Sequence, residues 1–276
     1  MTDLVRSEVR KLRTTHLWWI FGVTVLVLTL VAVGIAITEA HFRLTEPGSV
    51  GPGGKPMSQA AEYDEIVTGI FTAGQFFGLM FTLLLGTLLM TNEYQHQTAS
   101  PTFLATPDRT RVVFAKLITG GLIGVLFWGL TTLVDLIVGG IFLAGTDAGL
   151  RLTQPAVLQA IGLNLLAYVL WAIFGIGLGT LIRSQIAAVI VAIAIYVLTG
   201  KVAQTEVGGL AYLLKLYWVP QLTVLLPATA SDLMVTGDTV LSSQMPPRWV
   251  GAFVLVSYAI LAGVAGTVIT RRRDIA

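Results

Sequence analysis

Residues 17–38, LWWIFGVTVLVLTLVAVGIAIT, carry no charged side chain. A backbone taken through hydrocarbon must satisfy its N–H and C=O groups within itself, which for one continuous apolar run means an α-helix. At 1.5 Å per residue the run covers about 33 Å, enough for a hydrocarbon core of about 30 Å. Five more apolar runs follow, at 66–90, 112–144, 156–182, 186–199 and 249–270. The fifth covers only about 21 Å, so it is expected to run on past Gly200 or to meet a thinned bilayer.

Composition agrees with this pattern. The chain is 55% hydrophobic and 12% charged, whereas a soluble domain is roughly 25% charged. The expected fold class is therefore all-α: one polytopic transmembrane domain over residues 1–276 with six transmembrane helices. The absence of cysteine excludes disulfides and thiolate metal sites. A net charge of +2 is too small for nucleic-acid binding. The N-terminus does not read as a cleavable signal, because the first span is too long and no small-residue cleavage site follows.

Basic residues set the sidedness. With both termini inside, eleven fall on the cytoplasmic side (Arg6, Arg10, Lys11, Arg13, Arg109, Arg111, Lys116, Arg183 and Arg271 to Arg273). Six fall outside (Arg43, Lys55, Arg151, Lys201, Lys215 and Arg248). The positive-inside rule favours this arrangement, which places loops 39–65 and 200–248 outside the cell. Residues 207–227, VGGLAYLLKLYWVPQLTVLLP, are apolar enough to suggest a seventh span, but Lys215 and Pro220 interrupt them. They are expected to form short extracellular re-entrant helices before the last span, with Tyr217 and Trp218 at the interface. At the N-terminus, Val5, Val9 and Leu12 share one helical face, and Arg6, Arg10 and Arg13 share another. This pattern predicts an interfacial amphipathic helix over 1–16, basic side toward lipid phosphates.

No catalytic residue and no metal site is expected. SVGPGGKP, residues 49–56, imitates a phosphate loop, but it lacks the leading Gly and the Ser or Thr after Lys. The histidines, His16, His41 and His96, lie in or near polar segments, and Ser257 is the only serine well inside a span. Asp135 is the single acid at membrane depth. It is either a proton or ion site, or a structural group held by backbone, Asn164 or water. The pairs Gly74/Gly78, Gly120/Gly124 and Gly175/Gly179 have the spacing that lets membrane helices approach closely.

The inner loop 92–111, NEYQHQTASPTFLATPDRTR, places Phe103 and Leu104 between Pro101 and Pro107. An apolar knob in a polar loop reads as a plug for a groove in another protein. The stretch from Glu93 and Tyr94 through Thr98, Phe103, Leu104, Ala105, Thr106, Pro107, Arg109 and Arg111 to Lys116 resembles the inner loop of ABC transporter type 2 permeases. The N-terminal LVRSEVRKLRTTHLWW, the six-span layout and the outer helices before the last span are similar to that family as well. His96 and Gln97 stand where the family usually has a basic residue and Gly.

The resemblance implies an ABC exporter subunit in the plasma membrane, multi-pass, bacterial, with both termini cytoplasmic. It implies partnership with two copies of a separate ATP-binding cassette ATPase and with a second copy of this permease or a paralogue. The chain itself would bind no cofactor, with ATP and Mg on the ATPase. Glu93, Tyr94, Thr98, Phe103, Leu104, Pro107 and Arg109 would couple to that ATPase. The N-terminal helix with Arg6, Arg10 and Arg13 would form the other contact. The second and fifth spans would line the cavity, through Gln75, Phe76, Met80, Ile190, Ala194 and Tyr196, a lining suited to an amphipathic or lipophilic substrate such as a drug, peptide or lipid. Two other readings remain at this point: an ion- or proton-coupled secondary transporter using Asp135, and a non-transporting membrane sensor or immunity protein.

Overall fold

The computed structural model describes residues 2–15, 17–45, 59–96, 109–182, 184–216, 218–237 and 246–272. Among them there is no strand, and six helices are long and apolar enough to cross a membrane. The chain begins with α1 (Thr2–Thr14). The first span is α2 (Leu17–Thr45). The second is divided into α3 (Gln59–Phe71) and α4 (Gln75–Gln95). The third is α5 (Arg109–Val134), which passes through a π turn at Asp135–Gly139 into α6 (Gly140–Leu143). The fourth is α7 (Pro155–Leu181). The fifth is α8 (Gln185–Val197), continued by a π turn at Leu198–Val202 into α9 (Ala203–Leu213). After α10 (Val219–Leu222) and α11 (Pro227–Thr236), the sixth is α12 (Arg248–Arg272).

Helix ends follow local chemistry. Pro155 and Pro227 stand in the first turns of α7 and α11, where a missing N–H does no harm. Ser184 caps α8 by accepting the Ala187 N–H at 3.4 Å.

The helices extend beyond the apolar runs. α2 continues through Glu39, His41 and Arg43 to Thr45, and α3 begins at Gln59, so part of the expected outer loop 39–65 is helical. Ion pairs hold these extensions together. Arg43 reaches Glu39 at 2.8 Å and Glu65 at 3.0 Å, while Arg151 reaches Asp64 at 2.7 Å and lies over the Tyr63 ring. The fifth helix does run past Gly200, through a kink at that residue (φ −99°, ψ −120°), so the expected end at residue 199 moves to Leu213. Residues 207–227 form no single helix. α9 stops at Leu213, Lys215 adopts φ 57°, and α10 is one short turn.

Two apolar cores result. The larger joins Leu79, Leu83, Tyr168, Trp171, Ile176 and Leu255, drawn from α4, α7 and α12. The smaller, at the end of the bundle away from α1, joins Ile66, Val67, Phe71, Leu143 and Val157. The second span is the most enclosed of the six, and the first and sixth are the least. Glycine makes that enclosure possible. A Cβ at Gly179 would stand 2.5 Å from the Thr87 carbonyl oxygen, and one at Gly175 would strike the Leu83 carbonyl, so α4 and α7 touch backbone to backbone.

Candidate functional site

The end of the bundle nearest α1 holds a closed ring of four charges. Glu8 lies three residues after Val5 and four before Leu12, on the same helical face, and that face of α1 is turned into the protein. Glu8 is 3% exposed, and Leu12 packs against the main core. An acid at the centre of the Val5, Val9 and Leu12 stripe is held there by cations, Lys11 of α1 itself and Lys116 of the bundle. Lys11 Nζ is 2.7 Å from Glu8 Oε1 and 2.9 Å from Glu93 Oε1. Lys116 Nζ closes the ring, 3.0 Å from Glu93 Oε1 and 2.7 Å from Glu8 Oε2.

Each member has a reason to be there. Glu93 is in the last turn of α4 and Lys116 in the second turn of α5, so they flank the inner segment on either side. The Lys116 side chain is 1% exposed and donates to Glu8 and to the Leu89 carbonyl at 3.2 Å. Three acceptors surround an ammonium with three protons. A buried ion without its partner costs several kcal/mol, so the ring persists because its charges alternate and cancel. One valence is open: Glu93 Oε2 is buried and has no hydrogen-bond partner. Burial by itself would raise the Glu8 carboxyl, but the charge of Lys116 and the hydrogen bonds from Lys11 and Lys116 outweigh it and hold the group below its usual value. Burial would lower Lys11, yet Glu8 and Glu93 raise it.

The other sequence-derived residues divide clearly. Arg6, Arg10 and Arg13 are exposed, on the face of α1 opposite Glu8. Tyr94 is half-buried beside the ring, and His96 is exposed. Arg109 opens α5. Thr98, Phe103, Leu104, Ala105, Thr106 and Pro107 lie outside the described residues. Of the expected cavity residues, Phe76 and Tyr196 meet, with ring centroids 5.5 Å apart and the Tyr196 hydroxyl donating to the Phe76 carbonyl at 2.8 Å. Gln75 is buried at the start of α4, Met80 and Ala194 are half-buried, and Ile190 is 61% exposed and points away from this group. Asp135 accepts the Gly74 backbone N–H at 3.0 Å. Among the described residues, no group of His, Asp and Glu could hold a metal.

Sequence reasoning missed Glu8 and Lys11. The available signal was the acid placed on the apolar face of α1, which in a buried setting demands a cation.

The arrangement thus ties an N-terminal helix to the last turn of α4 and the second turn of α5, at one end of six membrane helices. Compared with known protein families, residues 4–200 match the family described as ABC-2 family transporter protein. The chain belongs to the ABC-2 transporter family. As an ABC-2 permease it is a multi-pass membrane component of a transporter and not the catalytic ATPase, and membership implies partnership with an ATP-binding cassette subunit. The matched part of the permease holds the whole charge ring and ends in the π turn of the fifth span. A comparison with curated proteins finds no match.

Proposed function

We propose that this permease exports an amphipathic or lipophilic compound by alternating access, driven by ATP hydrolysed on a separate subunit that holds ATP and Mg. The observation that carries the reading is the charge ring. It bolts α1 to the last turn of α4 and the second turn of α5, the two flanks of the segment that contains Phe103 and Leu104. A push on that segment, or on the basic face of α1, reaches the second and third spans through ion pairs rather than through a slack loop. Eleven basic residues on the ring's side favour both permease termini in the cytoplasm, and likeness to the family suggests a unit of two permeases and two ATPases in a bacterial plasma membrane. Phe76 and Met80, apolar and half-buried on α4, suit a lipophilic cargo.

Asp135 has a structural use at the break in the second span, where one carboxylate oxygen accepts the Gly74 N–H. Its Oδ1 is buried without a hydrogen-bond partner, and an Asp135→Asn variant separates the structural use from an ion-coupled one.

The test is co-expression of the tagged chain with its ATP-binding subunit, purification, and transport of a lipophilic fluorescent quaternary ammonium dye, which a pH gradient alone does not trap, into inside-out vesicles. ATP-dependent accumulation supports export. Accumulation driven by a pH gradient without the ATPase would overturn it.

A further inference from the structure

Three consecutive residues at the start of α4 are bonded to three other parts of the chain. The Gly74 N–H donates to Asp135 in the π turn of the third span, at 3.0 Å. Gln75 Nε2 donates to Asp232 of α11 at 3.4 Å. The Phe76 carbonyl accepts from Tyr196 of the fifth span at 2.8 Å. The fourth span comes up to the same place, where the Tyr168 hydroxyl is 2.8 Å from Thr131 Oγ1 and 3.5 Å from the Gly74 carbonyl.

This hub lies where the second span is not helical. Residues 72–74 form a turn between α3 and α4, and no proline causes the break. The turn also divides the two apolar cores, with Ile70 and Phe71 in the outer one and Leu79 and Leu83 in the inner. From Gly74 to Met90 is about 24 Å of helix, so the hub is near the outer limit of the hydrocarbon. A broken helix can move as two halves. Here the halves are held in register by side chains of the third and fifth spans and of α11, which no short stretch of chain joins to it.

We propose that the first turn of α4 is the outer gate of the permease, with Gln75, Tyr196 and Asp232 as positioning residues that keep it shut and Asp135 as the anchor of its hinge. The proposal rests on the orientation argued above, in which α3 leads outward. Opening separates the outer core from the inner one at residues 72–74 and breaks the Gln75–Asp232 and Tyr196–Phe76 bonds. The hydrogen bonds are few and buried, so each adds a specific pair to the packing that holds the closed state.

The chain has no cysteine, so single-cysteine reporters are clean. Met80, one turn inward of Phe76, is replaced by Cys in the complex in native membranes, and its labelling by an impermeant maleimide from outside is timed. Tyr196→Phe keeps the ring stack on Trp171 and Phe76 but deletes the hydroxyl, and Gln75→Leu deletes the amide. Each is expected to speed labelling at position 80 several-fold, while a second reporter at the deeply buried Leu85 stays unlabelled. Unchanged labelling at 80 in both variants, or an equal rise at Leu85, would overturn the gate. A third reporter at the exposed Asp147 fixes the outer face. Labelling of position 147 from the opposite side would refute the orientation alone, and the comparison at 80 is then read on that side.

Discussion

Lys116 Nζ stands 2.7 Å from Glu8 Oε2, across 108 residues of sequence. Their side chains are 1% and 4% exposed. Two fully desolvated charges from an N-terminal helix and a membrane span therefore depend on each other, and removing one strands the other.

Lys116→Met should lower the stability of the purified permease by about 3–5 kcal/mol, the usual cost of leaving a buried ion uncompensated. Pairing it with Glu8→Gln should recover part of that loss, because Lys11 and Glu93 then remain as a neutral pair. Thermal melts of the single and double variants decide this. A double variant no more stable than Lys116→Met would contradict it.

The ring gives stability a defined pH window. Glu8 has a folded pKa below its usual value of 4.5, so its contribution is complete above pH 4.5 and is lost as pH falls through the lower folded value. Lys11 has a folded pKa above 10.5, so its contribution is complete below that pH and is lost as pH rises through the higher folded value. The ring's own contribution to the melting temperature should be flat between these limits. Glu8→Gln should shrink the acid limb, and an unchanged acid limb in that variant would mean that other groups set it.

Gly179→Ala should cost about 1–3 kcal/mol, because its Cβ would stand 2.5 Å from the Thr87 carbonyl and 3.0 Å from Met90 Cβ. Gly263→Ala is the control, since nothing lies within 4 Å of a Cβ there. The comparison is one of melting temperature, and equal losses at both sites would argue against close packing of α4 on α7.

Asp135→Asn keeps an oxygen to accept the Gly74 N–H, whereas Asp135→Ala does not. The first should retain stability and transport at every pH tested. The second should lose about 1–3 kcal/mol for the orphaned donor. Transport that fails in the Asn variant while its melt is unchanged would restore a proton- or ion-carrying role.

The spans were legible in the sequence because lipid leaves an apolar run one conformation, and residues 17–38 needed nothing more. Their outer ends were not, since Glu39, His41 and Arg43 break the apolar pattern and become helical only through partners such as Glu65. The break at 72–74 was hidden, because Thr72, Ala73 and Gly74 contain no proline and the acid that stabilises the turn comes from residue 135. The inner charges were visible one by one as positive-inside flank and loop end. Their closure into a ring depends on α1 folding back on the bundle, which no local pattern states, although Glu8 on an apolar face was the clue.

The claim that the ring and the segment beside it form the docking unit for the ATPase is tested most directly by co-purification. Lys11→Gln is the informative ring variant, because the Lys11 side chain is 45% exposed and Lys116 still compensates both carboxylates in part. Phe103→Ala removes the expected anchor, worth about 1–4 kcal/mol of binding if it fills a pocket. Arg151→Gln breaks the outer pair with Asp64 and serves as the control. At matched membrane insertion, the first two should lose ATP-binding subunit from the purified complex or leave hydrolysis uncoupled from export, and the third should not. Full binding and coupling in Lys11→Gln and Phe103→Ala, with loss in Arg151→Gln, would contradict the account.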